Sequence, residues 1–114
     1  MSTNAPYGQP HGIYAGERTI DGVVVTFDGV ALSELVLPEH RLEGSFEWGY
    51  EGDSPTYLAY ALLLHHTGDP AAADAMAPGL MKRLVARLAN EWEIGHEELD
   101  ELVQTLQVSP PAGR

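Results

Sequence analysis

Residues 57–64, TyrLeuAlaTyrAlaLeuLeuLeu, contain no charged side chain. That stretch constrains the fold more than any other. A helix over it has no polar face, so the rest of the chain must cover it on most sides. Local signals mark a helix here. Ser54 suits the N-cap, and Pro55 suits the first helical position, where its missing N–H would find no partner anyway. Thr67–Gly68–Asp69–Pro70 ends the helix, with Gly68 supplying a left-handed cap. Upstream, Phe46, Trp48 and Tyr50 alternate with Ser45, Glu47 and Gly49, the period of a half-buried strand, and Gly49 and Gly52 then turn the chain.

The remaining segments provide the cover. Residues 1–11 are polar and rich in turn formers and read as a flexible tail, as do residues 108–114, leaving one α+β domain over 12–107. Residues 13–28 read as a β-hairpin about Asp21–Gly22. That turn sets Ile20 opposite Val23, Arg18 opposite Val25 and Gly16 opposite Phe27. Tyr14, Gly16, Arg18 and Ile20 then share a face with Val23, Val25 and Phe27, and Glu17, Thr19, Val24, Thr26 and Asp28 take the more polar one. Arg18 falls with the apolar set, so either its stem packs on Val25 and its head reaches out to water, or its guanidinium pairs with a carboxylate at the core edge, Glu47 or Asp53. A second turn follows at Asp28–Gly29. Residues 31–44 read as an irregular patch carrying Leu32, Leu35, Val36, Leu37 and Leu42.

Asp69–Pro70 starts a second helix, which Pro78–Gly79 should break or kink before it resumes through Leu80, Met81, Leu84, Val85 and Leu88. Trp92–Glu93–Ile94 reads as a short extended link. Gly95 or His96 opens a last amphipathic helix on Leu99, Leu102, Val103 and Leu106, with Glu97, Glu98, Asp100 and Glu101 in its first turns, where the dipole favours anions. The expected fold is α+β: a small antiparallel sheet, hairpin plus a third strand at Phe46–Tyr50, packed on about three helices.

Among bulk properties the charge stands out. Seventeen Asp and Glu against six Lys and Arg give a formal net charge of −11, and Lys82 is the single lysine. Such a surface opposes direct nucleic-acid binding and anionic membranes. It fits solubility, steering toward a basic partner, or imitation of nucleic acid. The absence of cysteine excludes disulfides and thiolate chemistry. No apolar run reaches the ~20 residues of a membrane span, and the N-terminus lacks the pattern of a signal peptide, so a cytoplasmic location is expected.

Tests for chemistry return little. His65 and His66 diverge by about 100° on a helix, so they chelate no metal together, and a site would need His11, His40 or His96 to join them. Glu47, Glu51 and Asp53 cluster around the glycine turn without the spacing of a calcium loop. Phosphate-loop, nucleophile-elbow and HExxH patterns are missing. No catalytic residue, metal or cofactor is expected, and the chain reads as non-enzymatic. Two candidate surfaces remain. Glu91, Glu93, Glu97, Glu98 and Glu101 belong to a stretch of six carboxylates without a Lys or Arg, suited to a partner protein with a basic surface. Arg18, Glu47, Trp48, Tyr50 and Asp53 could instead bind a small molecule or metal. The all-apolar helix also suits a homodimer seam.

The ordered run Tyr14-x-Gly16-x-Arg18, Val25/Phe27–Asp28–Gly29, Phe46-x-Trp48–Gly49–Tyr50, Pro55, the Leu-rich helix closed by Thr67–Gly68–Asp69, and Trp92–Glu93–Ile94 before an acidic helix resembles a family of short proteins of unknown function. That family occurs in bacteria, archaea and their phages or plasmids. The resemblance spans about residues 13–106. It implies one domain and no assigned activity. Pro78–Gly79 departs from the continuous second helix that the resemblance implies. Size, charge and this distribution together suggest an acidic interaction module carried by a phage or other mobile element. Its expected target is a host nucleic-acid-binding machine such as a defence complex, which it would inhibit.

Overall fold

The structure, a computed structural model, describes residues 12–36 and 46–108. Residues 1–11 and 109–114 of the two expected tails, and Leu37, His40, Leu42 and Ser45, fall outside these residues, while Val108 ends the last helix. Among the described residues four strands and four helices follow in the order β1 (Ile13–Thr19), β2 (Gly22–Phe27), β3 (Val30–Ala31), α1 (Leu32–Val36), α2 (Asp53–Thr67), α3 (Pro70–Arg83), β4 (Trp92–Gly95) and α4 (His96–Val108), with a 3-10 turn at Val85–Arg87. The fold is α+β. Its antiparallel sheet has the order β3-β2-β1-β4, and among the described residues one face packs on the helices.

Helix α2 is the centre, and its apolar circumference is used within the chain. Pro55, Leu58, Ala59 and Ala61–Leu64 are all buried, among Tyr14, Val25, Trp92 and Ile94 of the sheet and Ala73, Met76, Ala77, Leu80 and Met81 of α3. A homodimer seam on this helix would have to displace that cover. The helix starts from Gly52, whose backbone is extended and carries no side-chain cap. Ser54 therefore lies inside the helix, and Asp53 supplies the negative charge in its first turn. Gly68 adopts φ 71° and returns its N–H to the Leu64 carbonyl, so the expected left-handed stop is present. Asp69 then caps α3 by accepting from the amides of Ala71 and Ala72.

Four further sequence expectations are corrected. Phe46–Tyr50 is not a strand: Trp48 is buried, Tyr50 is half exposed, and the backbone there bonds elsewhere. Arg18 takes the Trp48 carbonyl, and Gly49 donates to the Val85 carbonyl. Those bonds replace a ladder. Trp92–Gly95, expected as a link, is the strand that pairs with β1. The hairpin register also differs by two. Tyr14 faces Phe27, Gly16 faces Val25 and Arg18 faces Val23, because the tight loop is Ile20–Asp21 and Gly22 already pairs with Thr19. The Thr19 hydroxyl holds that loop, donating to the Gly22 carbonyl and accepting from the Asp21 amide. A shift of two preserves the alternation, so every side chain keeps its expected face.

Fourth, α3 runs unbroken through Pro78. Proline removes the hydrogen bond to the carbonyl of Asp74. Both residues are exposed, so water can serve that carbonyl. Gly79 lets the next element approach, since a Cβ there would lie 2.8 Å from Leu106 of α4. Helix α3 ends at Arg83, and Val85–Arg87 continue as the 3-10 turn. Of the patch expected over 31–44, Leu32 and Val36 are buried on the one-turn helix α1, while Leu35 is exposed.

Candidate interaction surface

The two faces of the sheet differ in kind. The inner face carries Tyr14, Val25, Trp92 and Ile94, and it closes where Trp92 lies across Gly16, with the indole within 2.5 Å of where a Cβ would stand. Arg18 sits at its rim. One guanidinium nitrogen meets Glu47 at 2.8 Å and the Trp48 carbonyl at 2.9 Å, and the other donates to Asn90 at 3.0 Å. The group stacks 4.7 Å from the centre of the Trp48 ring, which meets Trp92 edge-on. The Arg18 contacts tie β1 to the segments before α2 and before β4. Arg18 is thus engaged structurally, which argues against a ligand there.

The other candidate ligand residues do not gather around it. Tyr50 is exposed beside Gly52, and Asp53 lies on a different groove, of about 370 Å³, between α2 and α3 with Tyr57, Tyr60 and Asp74. Among the described residues no three His, Asp or Glu side chains are arranged to hold a metal ion. No described helix is long and apolar enough to cross a membrane.

Among the described residues the outer face is the open one. Glu93 of β4 stands beside Ala15 of β1, Ala15 beside Thr26 of β2, and Thr26 beside Ala31 of β3, one row across all four strands. Glu17 and Val24 form the next row. Ala15, Glu17, Val24, Thr26, Glu91 and Glu93, with Gly16 and Trp92 at its edge, line a groove of about 580 Å³ whose charged residues are all carboxylates, Glu17, Glu91 and Glu93. The predicted acidic stretch is split by the fold. Glu91 and Glu93 join this groove, whereas Glu97, Glu98 and Glu101 are exposed on α4 and do not line it. Glu98 is partly committed, accepting the Gly95 amide at 2.9 Å as one half of a capping box. Glu17 escaped the sequence reading as a partner residue. Its alternation on β1 placed it on the polar face, but only the pairing of β4 with β1 brings it to Glu93.

A third cluster joins α2 to α4. Tyr14 and His65 are 2.8 Å apart, Oη to Nδ1. Burial, then the charge of Asp28, raises the Tyr14 hydroxyl well above its ordinary value, so Tyr14 keeps its proton and donates. Burial first, then His66 and His96, holds His65 below its ordinary value and neutral. His66 Nε2 meets Asp100 Oδ1 at 3.1 Å, and the His66 and His96 rings lie 4.4 Å apart. The sequence flagged these histidines for metal and missed this contact, because His96 reaches His66 only through the docking of α4.

Comparison with known families bears on residues 14–105, which match the model of a family of unknown function, DUF6166. The chain belongs to that family. No curated protein and no solved structure matches it. The DUF6166 match covers β1 through most of α4, so it includes the open sheet face and the histidine cluster together.

Proposed function

We propose that this DUF6166 protein is a non-enzymatic interaction module whose open sheet face receives a basic segment of a partner protein. The observation that supports it most directly is the groove over Ala15, Val24 and Thr26, where Glu17, Glu91 and Glu93 are the charged lining. A lysine or arginine stem can lie on such a floor while its head meets the carboxylates. The net charge of −11 draws a basic partner in and speeds encounter. Surfaces made to bind nucleic acid carry such cations, so inhibition of a nucleic-acid-binding complex, including a defence complex met by a mobile element, is the form of this function that the acidity favours.

The test uses a labelled decalysine peptide at pH 7.5. Glu17→Lys with Glu93→Lys should weaken binding at least tenfold, because each reversal replaces an attraction of roughly 0.5–1 kcal/mol with a repulsion of similar size. The dependence on salt should flatten with it. Glu97→Lys with Glu101→Lys, the same change in net charge on α4, should cost much less. Equal losses from the two pairs would mean that bulk charge attracts the peptide and the groove does not.

A further inference from the structure

Among the described residues β4 pairs on one side only. The strand order places it at an edge of the sheet, beside β1, and it leads directly into α4. In an antiparallel ladder successive residues turn their backbone groups alternately toward the neighbouring strand and away from it. Two bonds fix the alternation here. The His96 amide donates to the Gly12 carbonyl at 2.8 Å, so Trp92 and Ile94 also address β1. The Gly95 amide instead donates to Glu98 Oε1 at 2.9 Å, so Gly95 and Glu93 face away. Glu93 therefore directs both its N–H and its carbonyl out of the sheet edge, and its side chain stands on the outer face beside Ala15. Glu98 closes this edge at Gly95. The opposite edge is open too, because β3 pairs only with Thr26 and Phe27 of β2. Gly22–Phe27 carries no charge, however, so nothing on that strand selects a basic chain.

We propose that the basic partner segment binds as an added antiparallel strand beside β4, with lysine or arginine at alternate positions. This deepens the sheet-face reading and rests on it. The partner residue opposite Glu93 exchanges two hydrogen bonds with it, N–H to the Glu93 carbonyl and carbonyl to the Glu93 N–H. Side chains of such a pair share a face, so a cation at that position lies against the Glu93 carboxylate. Two residues along, the next outer side chain comes toward Glu91 at the groove. The residue between them points to the inner side, along the buried Trp92 and Ile94, where an apolar side chain fits. Every pairing in this sheet is antiparallel, the arrangement slightly more stable per residue. The chemistry recognised is an extended segment that alternates basic and apolar residues.

The probe is the end-blocked heptapeptide Lys-Val-Lys-Val-Lys-Val-Lys at pH 7.5, compared with two forms methylated on backbone nitrogens. Methylation of the lysine nitrogens removes the N–H groups that would meet Glu93. It should weaken binding about fivefold or more, the worth of one net backbone hydrogen bond. Methylation of the valine nitrogens alters N–H groups that point away from β4, and should change binding less than about twofold. Equal losses from the two forms, or a loss from the valine form alone, would overturn the added strand. Hydrogen exchange of the unmodified protein gives a second readout. Saturating heptapeptide should slow exchange of the Glu93 amide by about tenfold or more. The Val23 amide, which by the same alternation faces out of the opposite edge, should not change. A Glu93 amide left unprotected in the complex would refute the pairing. The two readings fail separately. Binding weakened by Glu17→Lys with Glu93→Lys but indifferent to lysine methylation would refute the strand alone. Binding unchanged by those reversals would refute the sheet-face reading on which the strand rests.

Discussion

Gly16 shows how a single residue sets the inner face. A methyl group there would meet the Trp92 indole at 2.5 Å, and that indole is wedged against Trp48, so neither can retreat. Gly16→Ala should therefore destabilise the protein by about 1–3 kcal/mol, the usual cost of overpacking, as measured by chemical denaturation. Tyr14 offers a finer test. Its hydroxyl donates to His65 Nδ1 and so favours the neutral imidazole. Tyr14→Phe should cost about 0.5–1.5 kcal/mol and raise the His65 pKa, which an NMR titration would read. Unmodified His65 also makes stability depend on pH. The folded form binds its proton less readily than the unfolded form, so stability is complete above about pH 6.5 and falls as the pH drops through that value. Asp100, held below the ordinary carboxylate range mainly by its bond to His66, acts with the same sign at lower pH. Arg18 was legible in part: its place among apolar residues announced a partner, and Glu47 is one. Its bonds to Trp48 and Asn90 depend on loops whose paths no local pattern specifies.

Elements with strong local chemistry were readable, and those made by pairing were not. Gly68 and Asp69 mark the end of α2 and the start of α3 through cap geometry written in neighbouring residues. The third strand was misplaced because Phe46, Trp48 and Tyr50 carry the alternation of a strand, while the true partner of β1, Trp92–Gly95, is only four residues long. A strand so short is defined by the register it joins. Pro78 misled for a related reason, since its effect depends on whether the carbonyl it strands can reach water. It can, and α3 runs through. Pro78→Ala restores the missing N–H at an exposed helical position, so it should stabilise the protein by about 1–3 kcal/mol, visible as a higher midpoint of denaturation. A loss would show that the proline ring packs in a way its exposure does not suggest.

The whole molecule presents an unequal pair of sheet faces within one strongly acidic surface. Composition made the acidity plain, but the site depends on which carboxylates share a face. Glu91 and Glu93 come to Glu17 by strand pairing, and α4 carries Glu97, Glu98 and Glu101 elsewhere. Self-repulsion at a net charge of −11 should also be felt by the fold, so moderate salt should raise the melting temperature while weakening any basic partner. The measurement that most directly tests the central claim is amide chemical-shift mapping of the isotope-labelled protein titrated with decalysine. The largest changes should cluster at Ala15, Glu17, Val24, Thr26, Glu91 and Glu93. Changes centred instead on α4, or on the groove between α2 and α3, would contradict it.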